Sequence, residues 1–390
     1  MIHASRRLDR LPPYAVAELA VIRQRLLARG VDVIDVSAGD ADMPPPPPAV
    51  DAISEAVRDP AMSRYAYQVG LREFRESAAR YMERRFAARF DPETEVLPLI
   101  GSKEGLAHLA LAFVNPGDGC VLPDPGYPAY LGGAVVADAE IIRVPLRPEN
   151  GFLLELDHLT PAQLASARLV YLNYPNNPTA AVAPRDYLER TVETCRRHGI
   201  LLAYDNPYCE VTFDGYRAPS IFEIDGAREC AIEFHSVSKS FSMTGWRLAW
   251  AVGNARLIGP LRKLKSWVDT GVFLAVQKAG AAVLDRAESL IAPLVTELAV
   301  RRVATAEALG ALGLSVERPK ATMYLWVRLP QGVEATGFAK HVLEHQGVVT
   351  MPGTAFGEGG EGFFRIALTV PSDRLRQAVE RIGAVLERQG

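Results

Sequence analysis

Cysteine is scarce in this 390-residue chain: Cys120, Cys195, Cys209 and Cys230 are its only four. No two of them stand at C-x-x-C spacing. They read as reduced, mostly buried thiols, the pattern of a cytoplasmic protein. No apolar run approaches the length a bilayer demands. Met1 to Asp9 carries His3, Arg6 and Arg7 with no apolar stretch behind them, so no secretory signal is expected. Charge of one sign is also lacking. With 43 basic against 46 acidic residues the net charge is -3 and the pI is near 6.2, which gives no electrostatic case for a nucleic acid or a membrane surface. Internal repeats and low-complexity tails are absent. What remains, 48% hydrophobic and 23% charged, is an ordinary globular composition, long enough for one large and one small domain.

Local patterns predict a helix from about Ala15 to Arg29, then a strand over Val31–Val36, where apolar and acidic residues alternate. Pro44 to Pro48 reads as a rigid extended connector. Helices are expected at 49–58 and 71–89, and a loop with Tyr65, Tyr67 and Gln68 lies between them. Val96 to Ile100 reads as a strand ending at Gly101-Ser102-Lys103-Glu104-Gly105, with a helix through Phe113; such a turn leaves free N–H groups at the positive end of a helix, the form of a phosphate cradle. Strands at 119–122, 141–144, 168–173, 200–204, 231–235 and 247–252, with a helix at 185–198 between two of them, imply a mostly parallel sheet covered by helices. Helices are expected at 255–266 and, as one long bridge, at 274–310. Strands at 323–329 and 363–368 and helices at 336–346 and 372–388 predict a smaller α+β unit. The expected domains are 1–45 as an arm and part of the small domain, 46–275 as the large domain, and 276–390 as bridging helix and small domain.

Ligands of such sheets bind beyond the carboxyl ends of the strands, and the polar clusters fall there. Asn173-Tyr-Pro-Asn176-Asn177-Pro178-Thr179 follows one strand and Asp205-Asn-Pro-Tyr208 the next. A third strand runs into His235-Ser236-Val-Ser238-Lys239, and Arg247 stands eight residues beyond the lysine. A lysine amine that is partly neutral forms a Schiff base with an aldehyde. Ser236, Ser238 and Arg247 supply hydroxyls and a planar cationic fork for a phosphate. An aldehyde and a phosphate on one small molecule suggest pyridoxal 5'-phosphate (PLP).

The ordered set Gly39, Asn177-Pro178-Thr179, Asp205-x-x-Tyr208, Ser236-x-x-Lys239, Arg247 and Arg365 resembles class I/II, fold type I, PLP-dependent aminotransferases over essentially the whole chain. Ile100-Gly-Ser-Lys-Glu-Gly105, the Phe113–Asp118 turn with Pro123-Asp-Pro-Gly-Tyr127, and Asp269-Thr-Gly-Val-Phe273 are similar to the branch of LL-diaminopimelate, alanine and broad-range aminotransferases. The resemblance implies an α/β fold with a large PLP-binding domain and a smaller α+β domain. It implies that Lys239 is the Schiff-base lysine and proton shuttle, and that Asp205 pairs with the pyridine nitrogen. Tyr208 and Asn177 would bond the phenolic oxygen, and Tyr127 would stack on the ring. Ser102, Lys103, Ser236, Ser238 and Arg247 would hold the phosphate, and Tyr65 would reach the phosphate of the partner in a homodimer. Arg365 would grip the substrate α-carboxylate with Asn177 and the Gly39 backbone. No metal is implied.

Three departures stand out. The family usually has glycine after Asn-Pro-Thr; here Ala180 stands there, which fits if its φ is negative. Asp40-Ala41-Asp42 replaces a motif with a central proline. Gln68 occupies the place where the better-known diaminopimelate enzymes carry a glutamate. Other readings have less support. Ser236-x-x-Lys239 also fits S-x-x-K hydrolases, but the downstream K-T-G is missing. Gly357-Glu-Gly359-Gly-Glu-Gly362 fits G-x-G-x-x-G, but it precedes a strand instead of opening a helix. About 30 residues before the first strand leave no room for the DNA-binding domain of PLP-fold regulators. A β-lyase, decarboxylase or amino-acid oxidase would use the same residues.

Overall fold

The computed structural model describes residues 3–12, 17–67 and 69–386. Its strands, in chain order, are β1 (Ile34–Asp35), β2 (Val96–Leu99), β3 (Gly119–Asp124), β4 (Glu140–Pro145), β5 (Ala167–Leu172), β6 (Leu201–Asp205), β7 (Ala231–Ser236), β8 (Ala249–Gly253), β9 (Ser315–Val316), β10 (Tyr324–Arg328), β11 (Val348–Val349), β12 (Met351–Pro352) and β13 (Phe363–Ala367). Seven form one sheet in the order β2-β8-β7-β6-β5-β3-β4. Its neighbours pair in parallel except for β8, which runs antiparallel to both β2 and β7. A smaller antiparallel sheet has the order β12-β13-β10-β9, and β1 pairs with β11, so the N-terminal segment joins the C-terminal third of the chain.

Strand periodicity sets the layers, because successive side chains point to opposite faces. Leu97, Leu99, Ile232, Phe234, Ala249 and Ala251 face one way, against the helices Ser102–Phe113, Pro128–Val136 and Ala255–Val268. Val96, Trp250 and Val252 face the other way, against Arg72–Phe86 and Leu274–Leu284; Val170, Leu202 and Tyr204 pack on Arg185–His198. Both faces are covered, so the strands read as near-continuous apolar runs.

The helix Arg185–His198 has its predicted bounds, and each predicted strand of the large sheet lies within two residues of an observed one. Elsewhere the structure corrects the expectation. Pro47 and Pro48 open the helix Pro47–Ala56 instead of extending the connector: the first helical turn needs no N–H and accepts proline's φ. The single bridge over 274–310 is two helices, Leu274–Leu284 and Ala287–Ala311. At the junction the Leu284 carbonyl accepts from Arg84 at 2.7 Å, and the Asp285 carboxylate accepts from Arg80 at 2.9 Å. Arg247 lies outside β8, at φ 55°. The helix Pro128–Val136 escaped notice because Gly132-Gly133 is a poor helix signal. Gly133 is needed there: a Cβ would lie 2.8 Å from the backbone of Ala107 on the neighbouring helix. Ala15, at the predicted start of the first helix, and Gln68 lie outside the described residues.

Candidate active site

Three carboxyl-terminal strand ends and one helix start converge on a cavity of about 1040 Å³. β5 delivers Asn173 and Asn177, β6 ends on Asp205 with Tyr208 just beyond, and β7 ends on Ser236, followed by Ser238 and Lys239. The turn after β2 gives Ser102 and Lys103, and Gly39, Tyr127, Arg247 and Arg365 complete the wall. Every candidate residue read from the sequence therefore lines this one cavity except Tyr65. That side chain is 67% exposed and lies beside Tyr67, ring centres 5.9 Å apart.

The loop that carries Asn177 is held by its own side chains. Asn173 Oδ1 accepts from the Asn177 N–H at 2.7 Å and Asn173 Nδ2 donates to the Asp205 carbonyl at 2.7 Å, tying the ends of two strands together. Asn176 Oδ1 accepts from both the N–H and the hydroxyl of Thr179. The same turn holds Ala180 at φ 59°, with its N–H on the Asn176 carbonyl. The condition of a negative φ is not met: the turn keeps the left-handed conformation and the alanine bears the strain.

Asp205 is buried. Its Oδ2 accepts from the Tyr130 hydroxyl at 2.6 Å, whereas Oδ1 is buried with no hydrogen-bond partner among the described residues. Burial pushes its carboxyl up to about 7, against the pull of the Tyr130 hydrogen bond and the Lys239 charge. Lys239 Nζ donates to the Gly39 carbonyl at 2.5 Å.

At the other end of the cavity Gly101 caps the helix Ser102–Phe113 at φ 76°. A Cβ there would lie 2.3 Å from a terminal nitrogen of Arg247, so only glycine admits the guanidinium. Arg247 donates to the Thr244 carbonyl at 2.8 Å. Glu104 fixes this turn from below. Its carboxylate accepts from the Ile100 N–H at 3.0 Å, from the buried Lys265 at 3.1 Å, and meets His108 at 2.7 Å. Burial raises the Glu104 carboxyl, but His108 and Lys265 more than offset this and leave it below its ordinary range.

Arg365, 4% exposed, points its terminal nitrogens at Asn177 Oδ1 and the Ser37 carbonyl, both at 2.5 Å. Its guanidinium lies 4.0 Å from the Tyr324 ring centre and 4.8 Å from that of Phe356. Glu361, a rival partner by sequence proximity, instead accepts from the N–H groups of Ala335 and Gly362.

These residues fit PLP. The orphaned Asp205 oxygen suits a ring N–H, the helix start with Arg247 suits a phosphate, and the lysine amine lines the same cavity. Sequence reading missed Tyr130 and Tyr324, and had Asn173 only as the start of a polar cluster, without a role. Tyr130 stands one helical turn beyond Tyr127, a detectable signal; Tyr324 sits in an apolar strand and reads as plain core.

Residues 31–382 match the family described as aminotransferase class I and II. The chain is 44% identical over 384 residues to an LL-diaminopimelate aminotransferase of Desulforudis audaxviator, covering 98% of each. It is equally identical over 382 residues to one of Aquifex aeolicus, covering 98% and 99%. Among solved structures, substrate-bound BacF of Bacillus subtilis superposes with a TM-score of 0.95 at 32% identity over 99% and 98% of the two chains. N-succinyldiaminopimelate aminotransferase of Mycobacterium tuberculosis gives 0.90 at 28% identity, over 98% and 100%. With its fold, its cavity and these relatives in agreement, the chain belongs to the class I and II aminotransferases and is a PLP-dependent transaminase of fold type I.

Proposed function

We propose that this transaminase moves the amino group of an L-α-amino acid to a 2-oxo acid in two ping-pong half-reactions, with Arg365 as the grip for the α-carboxylate. The observation that carries the reading is the state of Arg365: a buried guanidinium with two neutral acceptors, two aromatic faces, and no carboxylate partner among the described residues. A desolvated cation is costly unless it meets an anion. A substrate carboxylate would supply that anion in a two-pronged geometry that Asn177 and Ser37 already brace.

PLP, when bound, supplies an aldehyde that condenses with amines and a ring that withdraws electrons from the substrate. In this reading Asp205 holds the proton of the ring nitrogen through its free Oδ1, and Tyr130 keeps the carboxylate in place. Asn177 spends its Oδ1 on Arg365, which leaves its Nδ2, with the Tyr208 hydroxyl, to donate to the phenolic oxygen. Tyr127 covers the ring face. The N–H groups of Ser102 and Lys103, the hydroxyls of Ser236 and Ser238, and Arg247 hold the phosphate. Lys239 Nζ moves the substrate proton, and the Gly39 backbone that holds it closes the site.

The reading includes a homodimer with shared sites, in which Tyr65, exposed and outside its own cavity, reaches the partner's phosphate group. No helix of the described residues is long and apolar enough to cross a membrane, and we assign the enzyme to the cytoplasm. Because its curated relatives carry that name, LL-diaminopimelate is the first amino donor to test. A panel of LL-diaminopimelate, alanine, glutamate and aspartate against 2-oxoglutarate and pyruvate checks the class. Turnover with at least one α-amino acid is expected; activity only with amines that lack a carboxylate would overturn the reading.

A further inference from the structure

One side chain touches three parts of this site and has no role so far. Tyr324 opens β10 and is buried. Its hydroxyl is 3.0 Å from the Tyr208 hydroxyl, and its ring carries the Arg365 guanidinium at 4.0 Å. A Cβ on Gly39 would lie 1.9 Å from the Tyr324 oxygen, so the Gly39 backbone rests directly on the phenol. The carbonyl of that same glycine receives Lys239 Nζ.

We propose that Tyr324 is a positioning residue of the transfer reaction: its hydroxyl donates to Tyr208 and props the Gly39 backbone, while its ring face holds Arg365. The proposal rests on the roles given above to Tyr208 and Arg365. Its core is the direction of one proton. Each phenol has a single proton to give. If Tyr208 gave its proton to Tyr324, it would have none for a ligand in the cavity. The reverse arrangement leaves the Tyr208 proton free to point inward.

Two cations beside Tyr324 favour the second arrangement, because they draw its oxygen lone pairs and leave its proton to Tyr208. Burial raises both phenols, but Tyr324 faces Lys239 from the helix Val237–Ser240 and Arg365 from β13. Those charges, with the Tyr208 hydrogen bond, outweigh burial and bring Tyr324 below the ordinary phenol range. Tyr208 stays well above it, through burial and then its neighbour Tyr324, with Arg365 opposing and Tyr127 adding. Both phenols line the cavity, and only the arrangement in which Tyr324 gives and Tyr208 accepts leaves the Tyr208 proton free for a ligand there. Gly39 fits the same design, because any side chain there would displace the phenol.

Two substitutions separate the hydroxyl from the ring. Tyr324→Phe keeps the ring and the stack on Arg365. It should raise the Kd for PLP, measured by fluorescence quenching on cofactor-free protein, by about 2- to 12-fold, the worth of one hydrogen bond. It should also move the pH midpoint of the visible absorption of the loaded enzyme and leave KM for the amino acid within about two-fold, since a residue that braces one grip need not alter the other. Tyr324→Leu removes the ring as well, and should raise KM for amino acids while sparing matched amines. Wild-type PLP affinity and an unmoved pH midpoint in Tyr324→Phe would overturn the proposal. If Arg365→Lys leaves the preference for amino acids over amines intact, the reading of Arg365 fails instead, and the Tyr324→Phe measurements still judge the hydroxyl separately.

Discussion

Asp205 offers a prediction that runs against intuition: Asp205→Asn should make the cofactor-free protein more stable while it ruins catalysis. The carboxyl is buried and its acidity is shifted from the ordinary 3.8 to about 7. At about 1.36 kcal/mol per pKa unit, that shift means roughly 4 kcal/mol against the ionised form in the cofactor-free fold. The sign follows from linkage. A raised folded-state pKa leaves stability intact below the unfolded value and erodes it as pH climbs towards the folded one. The penalty therefore grows from pH 3.8 to about 7 and is complete above that. Asparagine, always neutral and of the same size, escapes it. Between about pH 5.5 and 8 the advantage of Asp205→Asn should grow by about 2 kcal/mol, read from urea unfolding of cofactor-free wild type and variant at both pH values. The loaded enzyme tells the opposite story. Without a negative charge to keep the ring nitrogen protonated, kcat/KM should fall about a hundredfold, near 3 kcal/mol of lost preorganised electrostatics. An equal stability difference at the two pH values would refute the argument from burial. Activity within about threefold of wild type would refute the assigned role.

Three further outcomes can be checked. Arg365→Lys keeps the charge and loses the fork, so kcat/KM for an α-amino acid should drop about ten- to a hundredfold, with the visible spectrum of the loaded enzyme and the activity on a matched amine nearly unchanged. Mixed dimers of Tyr65→Ala and Lys239→Ala, each inactive alone, should regain activity after subunit exchange, because one of the two sites would draw both wild-type residues from different chains; no recovery despite proven exchange would confine Tyr65 to its own subunit. Ala180→Gly should stabilise the protein by about 0.5 kcal/mol in urea unfolding, since relief of about 1–2 kcal/mol of left-handed strain is partly cancelled by the greater entropy of the unfolded glycine; destabilisation would show that the alanine methyl is needed where it packs.

The parts legible in the sequence were those whose signal is local. Strand ends carrying Asn177, Asp205 and Lys239 announce themselves by polar residues stopping an apolar run, and the order of those clusters along the chain suffices for the parallel sheet. What escaped depends on partners distant in sequence. At the break after Leu284 the partners are Arg80 and Arg84, some 200 residues earlier, and no local propensity records them. Tyr130 and Tyr324 look like core aromatics because they are core aromatics; only the third dimension brings their hydroxyls to Asp205 and Tyr208. Ala180 shows the opposite case: its residue type argues for a negative φ, and the hydrogen-bonded turn around Asn176 prevails.

The central claim, transamination with Lys239 as the group that moves the proton, is tested most directly by a single half-reaction. Purified, PLP-loaded enzyme is mixed with an excess of its best amino donor and no 2-oxo acid acceptor, and the 2-oxo acid released is counted against enzyme sites. The account predicts one equivalent per site and then a stop, resumed only when an acceptor is added, and no release from Lys239→Ala on the same timescale. Continued release without an acceptor, or an undiminished half-reaction in Lys239→Ala, would contradict it.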